Sequence, residues 1–89
     1  MFEVFLSNAA LKSLKKLDAR TVQKSKKALV SLKSSPIPIN EYDIKKIEGA
    51  EDTYRLRIGK YRIVYKIDWD RKEIYVLKID IRDEKTYRL

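Results

Sequence analysis

At 89 residues the chain has room for a single domain, expected over residues 1–89, and with no cysteine and no histidine it can form neither a disulfide nor a thiolate or imidazole metal site. Lys and Arg number 21 against 13 Asp and Glu, and the net charge of +8 favours a polyanionic partner. The opening Met1-Phe2-Glu3-Val4-Phe5-Leu6 has an acid where a secretory signal is basic, and no apolar run reaches membrane-spanning length, so a cytoplasmic protein with no membrane partner is expected.

Residues 2–6 alternate, with Phe2, Val4 and Leu6 on one side, and predict a first strand. Ser7 is a suitable N-cap for a helix carrying Ala9, Ala10, Leu11, Leu14 and Leu17 at helical spacing. Asp18 can cap a second helix from about Arg20 to Ser34, with Val22, Ser25, Leu29 and Leu32 on its buried stripe. Pro36 and Pro38 end it, since proline lacks the amide proton and clashes with the preceding turn. The period then changes to two. Ile44–Ile47 reads as a short strand closed by Gly49-Ala50-Glu51-Asp52, and Tyr54, Leu56 and Ile58 alternate with Arg55 and Arg57. Gly59-Lys60 marks a tight turn, Tyr61–Ile67 a further strand, Asp68–Lys72 another turn and Glu73–Ile79 the last strand. A polar tail, Asp80–Leu89, follows. The expected class is α+β, in the order β-α-α-β-β-β-β, with an antiparallel-rich curved sheet and an N-terminal helical hairpin packed on one face.

The charge is unevenly placed. Residues 7–35 hold eight cations and one acid, Asp18. From Thr53 to Ile67 there are five cations (Arg55, Arg57, Lys60, Arg62 and Lys66) and no acid, while acids gather in the turns. Alternate strand residues point to opposite faces, so Arg55 and Arg57 project together, and a tight turn at Gly59 sets Arg62 beside them. Guanidinium groups crowded on one face repel one another, and a phosphodiester relieves that repulsion because its oxygens match the guanidinium fork. An ordinary half-exposed strand, or a surface facing acids of a partner protein, produces the same pattern.

The run Lys46-Ile47-Glu48-Gly49, followed by Tyr54-Arg55-Leu56-Arg57-Ile58-Gly59-Lys60-Tyr61-Arg62-Ile63-Val64-Tyr65, resembles the signature of the RelE/ParE toxin superfamily, in its archaeal-like RelE-type branch. The ending Arg82-Asp83-Glu84-Lys85-Thr86-Tyr87 is similar to the closing segment of that signature. The resemblance implies a toxin of a type II toxin–antitoxin system, held in check by a RelB-like antitoxin. Such a toxin is a metal-independent, cofactor-free endoribonuclease that cleaves mRNA in the ribosomal A site by 2′-OH attack, leaving a 2′,3′-cyclic phosphate. Carried over by motif, the catalytic set is Arg57, Arg62, Arg82 and Tyr87, and phosphate binding falls to Arg55, Lys60, Lys66 and Lys78. Two departures bear on the chemistry. Arginine keeps its proton, which makes Arg57 a poor general base where some relatives have lysine. Ile81 stands where other branches have a histidine, so a histidine-based acid/base scheme is not available. Two alternatives share the fold: a ParE-like inhibitor of DNA gyrase and a noncatalytic RNA-binding module.

Overall fold

The computed structural model describes residues 1–81, in the order β1 (Glu3–Leu6), α1 (Asn8–Lys15), α2 (Ala19–Ser34), β2 (Asp43–Lys46), β3 (Thr53–Ile58), β4 (Tyr61–Asp68) and β5 (Glu73–Ile81). Ser7 begins α1 as the sequence suggests. Its hydroxyl oxygen accepts from the Ala10 amide at 3.0 Å and its O–H donates to the Leu77 carbonyl at 2.7 Å, so one side chain caps the helix and ties it to β5. α1 ends at Lys15, short of the expected Leu17, because the Lys16 and Leu17 amides turn back to the Ser13 and Leu14 carbonyls in a tightened last turn. Asp18 stands at the N-cap of α2 with extended dihedrals and faces Thr21, without closing a well-formed cap hydrogen bond. Pro36 and Pro38 follow the end of α2, and the Pro36 carbonyl accepts the Tyr65 hydroxyl at 2.8 Å, anchoring the helix exit to the sheet.

Among the described residues the strands form one sheet in the order β1-β5-β4-β3-β2. The β2–β3, β3–β4 and β4–β5 ladders are antiparallel, and β1 lies parallel to β5. The helices cover one face. Ala28, Leu29 and Leu32 of α2 and Ala10 of α1 join Leu56, Ile58, Ile63, Tyr65, Ile67, Ile74, Val76 and Ile79 in the buried core. Burial of such side chains contributes roughly 1.5–3 kcal/mol each and is the main force holding helices to sheet. Ser25 is fully buried on the same stripe, and among the described residues nothing partners its hydroxyl.

Gly59 takes φ +57 at the first central position of the two-residue β3–β4 turn, where Ile58 pairs with Tyr61, a left-handed conformation that favours glycine. Two boundaries differ from expectation. β2 occupies Asp43–Lys46 rather than Ile44–Ile47, since Asp43 pairs with Arg57 and Ile47 passes into the bend before Gly49. β5 runs on through Asp80 and Ile81, which the sequence assigns to the tail, because the ladder to β4 continues to Arg62 and Tyr61. It continues across a β-bulge: Val64 pairs with Lys78 and Tyr65 with Val76, leaving Leu77 as the extra residue. No described helix is long and apolar enough to cross a membrane.

Candidate phosphate-binding face

Residues paired across a ladder point to the same face. The sheet face turned away from the helices can therefore be assembled rung by rung. The first rung reads Asp43, Arg57, Arg62, Asp80 across β2, β3, β4 and β5. The second reads Lys45, Arg55, Val64, Lys78. The third reads Thr53, Lys66, Tyr75, Phe5, ending on β1. Five expected residues thus share one surface: Arg55, Arg57, Arg62, Lys66 and Lys78. Lys78 owes its place to the bulge. Plain alternation from Ile74 and Val76 would turn it towards the helices; the extra Leu77 resets the phase, so that Ile79 is buried and Lys78 and Asp80 face out.

Arg57 lies directly opposite Arg62, with Arg55 one rung away. Like charges directly opposite are destabilising in a sheet. Among the described residues two ion pairs on this face offset it in part. Arg57 Nη1 lies 3.7 Å from Asp43 Oδ2, with both side chains about half exposed (44% and 52%), and its Nε–H reaches the Gly59 carbonyl at 3.4 Å. Lys78 Nζ lies 3.1 Å from Asp80 Oδ2, also in solvent. Exposed pairs of this kind are worth about 0–1 kcal/mol and exchange readily for another anion. Among the described residues no carboxylate forms an ion pair with Arg55 or Arg62. Val64, between Arg55 and Lys78 on its rung, is 8% exposed although it lies outside the core cluster. This fits coverage by the aliphatic stems of its charged neighbours.

Lys60 is set apart from the cluster. Its Nζ sits 5.8 Å from the Tyr61 ring centroid, on the rung that Ile58 and Tyr61 share on the helix side of the sheet. Its charge acts on Asp18 at the start of α2, whose carboxyl is held below the usual aspartate range chiefly by Thr21 and to a lesser degree by Lys60. Arg82 and Tyr87 lie outside the described residues. Lys45 was missed: β2 is too short for its phase to be read alone, and only its register to β3 sets Lys45 opposite Arg55. Lys45 and Arg55 share a cleft of about 340 Å³ with Glu48. A larger cleft of about 510 Å³ at the other end of the sheet shares Lys66 and Tyr75 with the third rung, and beyond them its Glu51, Asp52, Asp68 and Asp70 turn the surface acidic. The cationic rungs are the better anion site, able to bind phosphate oxygens and to stabilise negative charge that grows on them.

The family described as ParE toxin of type II toxin-antitoxin system, parDE, matches residues 4–86. A protein of Methanocaldococcus jannaschii named "Putative toxin RelE1" is 39% identical over 82 residues, which make up 92% of this chain and 91% of that protein. Among solved structures, the archaeal RelE–RelB complex from Pyrococcus horikoshii OT3 is similar with a TM-score of 0.85 at 29% identity, over 93% of this chain and 97% of that one. The intact E. coli RelBE toxin–antitoxin complex gives a TM-score of 0.78 at 24% identity, over 94% and 100% of the two chains, a likeness of fold.

Proposed function

The chain belongs to the RelE/ParE family as a RelE-type toxin of a type II toxin–antitoxin system, and on that premise we propose that it is a ribosome-dependent endoribonuclease that cuts mRNA. The observation carrying this reading is the cross-strand pair Arg57 and Arg62, with Arg55 one rung away, on a face with no described ion-pair partner for Arg55 or Arg62. In this reading Arg55 and Arg62 hold the non-bridging oxygens of the scissile phosphate, and Lys45, Lys66 and Lys78 hold its neighbours. The 2′-oxygen attacks phosphorus, the bond from phosphorus to the 5′-oxygen breaks, and a 2′,3′-cyclic phosphate and a 5′-hydroxyl remain. The 2′-hydroxyl proton leaves to solvent or to a ribosomal group, with Arg57 acting as a phosphate ligand, since arginine is a poor base. By the motif, Arg82 donates a proton to the departing 5′-oxygen and Tyr87 stacks on the flanking base. The protein's share of catalysis is therefore orientation and charge stabilisation, together with the proton that Arg82 gives the leaving oxygen. The partner is a RelB-like antitoxin, of the kind present in the solved complexes of similar toxins. Its recognition follows charge complementarity to the cationic face.

Primer extension on mRNA from cells expressing the chain without antitoxin tests this reading. Discrete cuts within translated regions are expected, and their loss in Arg62→Ala, alongside growth recovery. The description of the matching family favours one other reading, a ParE-like toxin, for which the resemblance implies DNA gyrase as the target. It predicts intact messages, DNA damage, and undiminished toxicity in the Arg55→Ala/Arg57→Ala double variant.

A further inference from the structure

The third rung of the open face ends in two aromatic side chains that the chemistry above leaves unused. We propose that Phe5 and Tyr75 form a stacking platform for a nucleobase next to the cleaved site, so that single-stranded RNA is held by aromatic contact as well as by charge; the proposal rests on the nuclease reading.

Phe5 and Tyr75 are cross-strand partners in the parallel β1–β5 ladder, and their rings stack with centroids 5.6 Å apart at an interplanar angle of 21°. The other side chains of β1 explain why this is unusual. Val4 and Leu6 turn into the core, whereas Phe5 is 41% exposed on a face dominated by charged side chains. Tyr75 is held in place by its hydroxyl, which donates to the Glu73 carboxylate, and its other cross-strand neighbour is Lys66. An aromatic beside a cation on an open sheet is the arrangement by which unstacked bases are held, the ring taking the base and the cation the backbone.

The spacing suits a strand that starts on the arginines. Lys66 is four residues along β4 from Arg62, about 13 Å at a rise of roughly 3.3 Å per residue. The rung between them carries Lys45, Arg55 and Lys78 and no acid. One rung past Tyr75 come Glu3, Glu73 and Asp68, aligned with one another, whose charge repels a phosphate. The cationic track is therefore bounded, and the aromatic pair stands just before its acidic end. Packing of the edge strand alone does not require both rings to remain accessible.

The test uses the full chain and an RNA hexamer bearing 2′-O-methyl groups, which cannot supply the attacking oxygen, with 5-iodouridine at successive positions. Ultraviolet crosslinking followed by peptide mapping should place adducts on Phe5 or Tyr75. Affinity for the hexamer should fall at least fivefold in Phe5→Leu/Tyr75→Leu and by less in Tyr75→Phe, which keeps the ring but not its hydrogen bond to Glu73. Arg62→Ala should slow message cleavage about 10²–10³-fold while its adducts still map to the aromatic pair, so the platform and the nuclease reading fail separately. Adducts confined to other segments, or a double-leucine variant with unchanged affinity, overturn the platform. Should that variant fail to fold, the wild-type adduct map decides alone.

Discussion

Tyr65 shows how one side chain joins the parts of this fold. It is fully buried in β4, stacks on Tyr54 with centroids 5.9 Å apart, and donates its hydroxyl to the Pro36 carbonyl. Burial, and secondarily Tyr54, push its pKa well above the ordinary tyrosine value of 10.0. The folded state thus holds this proton more tightly than the unfolded chain does. Stability is full below pH 10 and falls as pH rises above it, where only the unfolded chain can ionise freely. Tyr75 is shifted in the same direction, chiefly by its hydrogen bond to Glu73. Urea denaturation from about pH 8 to about pH 11 should show an alkaline decline that flattens in Tyr65→Phe. That variant should also lose about 1 kcal/mol near neutrality as the Pro36 carbonyl loses its donor. At this scale the sequence was informative where alternation governs: Arg55, Arg57 and Arg62 share a face as their spacing requires. It could not place Lys60, which lies in the β3–β4 turn where strand phase does not apply and sits with its Nζ 5.8 Å from the Tyr61 ring centroid.

The elements and their order were legible because each carries its own period and its own stop. Pro36 and Pro38 close α2, Gly59 turns β3 into β4, and the apolar residues of β3 alternate cleanly. Two features were not legible. The pairing of β1 with β5 joins residues about seventy positions apart, and nothing local to either strand records it. The bulge at Leu77 hides in an apolar run, so the strand looked finished at Ile79 when two more residues remained in the ladder. The bulge makes a counterintuitive prediction. Deleting Leu77 restores strict alternation and leaves every other β5 side chain on its present face. Stability should stay within about 1–2 kcal/mol of wild type, the loss coming from the Ser7 contact. The equivalent deletion of Arg55 from the unbulged β3 turns Leu56 and Ile58 outward and should cost on the order of 3 kcal/mol or more. Thermal melts of the two deletions provide the comparison.

Over the whole molecule, charge and fold divide the labour. The helices supply the apolar cover for one face of the sheet and carry the cations of residues 7–35 on their exposed sides. That cover frees the opposite face to hold cations at a density that folding alone would not favour. The family resemblance carried the toxin identity, and the rung-by-rung register supplied what no linear pattern contains: Lys45 beside Arg55, and Lys78 returned to the same surface by the bulge. The most direct measurement is the single-turnover rate of mRNA cleavage on programmed ribosomes, for the wild-type chain, Arg62→Lys and Arg62→Ala, each shown by circular dichroism to be folded. A cationic face that stabilises the reacting phosphate predicts a rate about 10²–10³-fold lower for Arg62→Ala, with Arg62→Lys between the two and 2′,3′-cyclic phosphate ends in every active reaction. Cleavage by folded Arg62→Ala at the wild-type rate would contradict it.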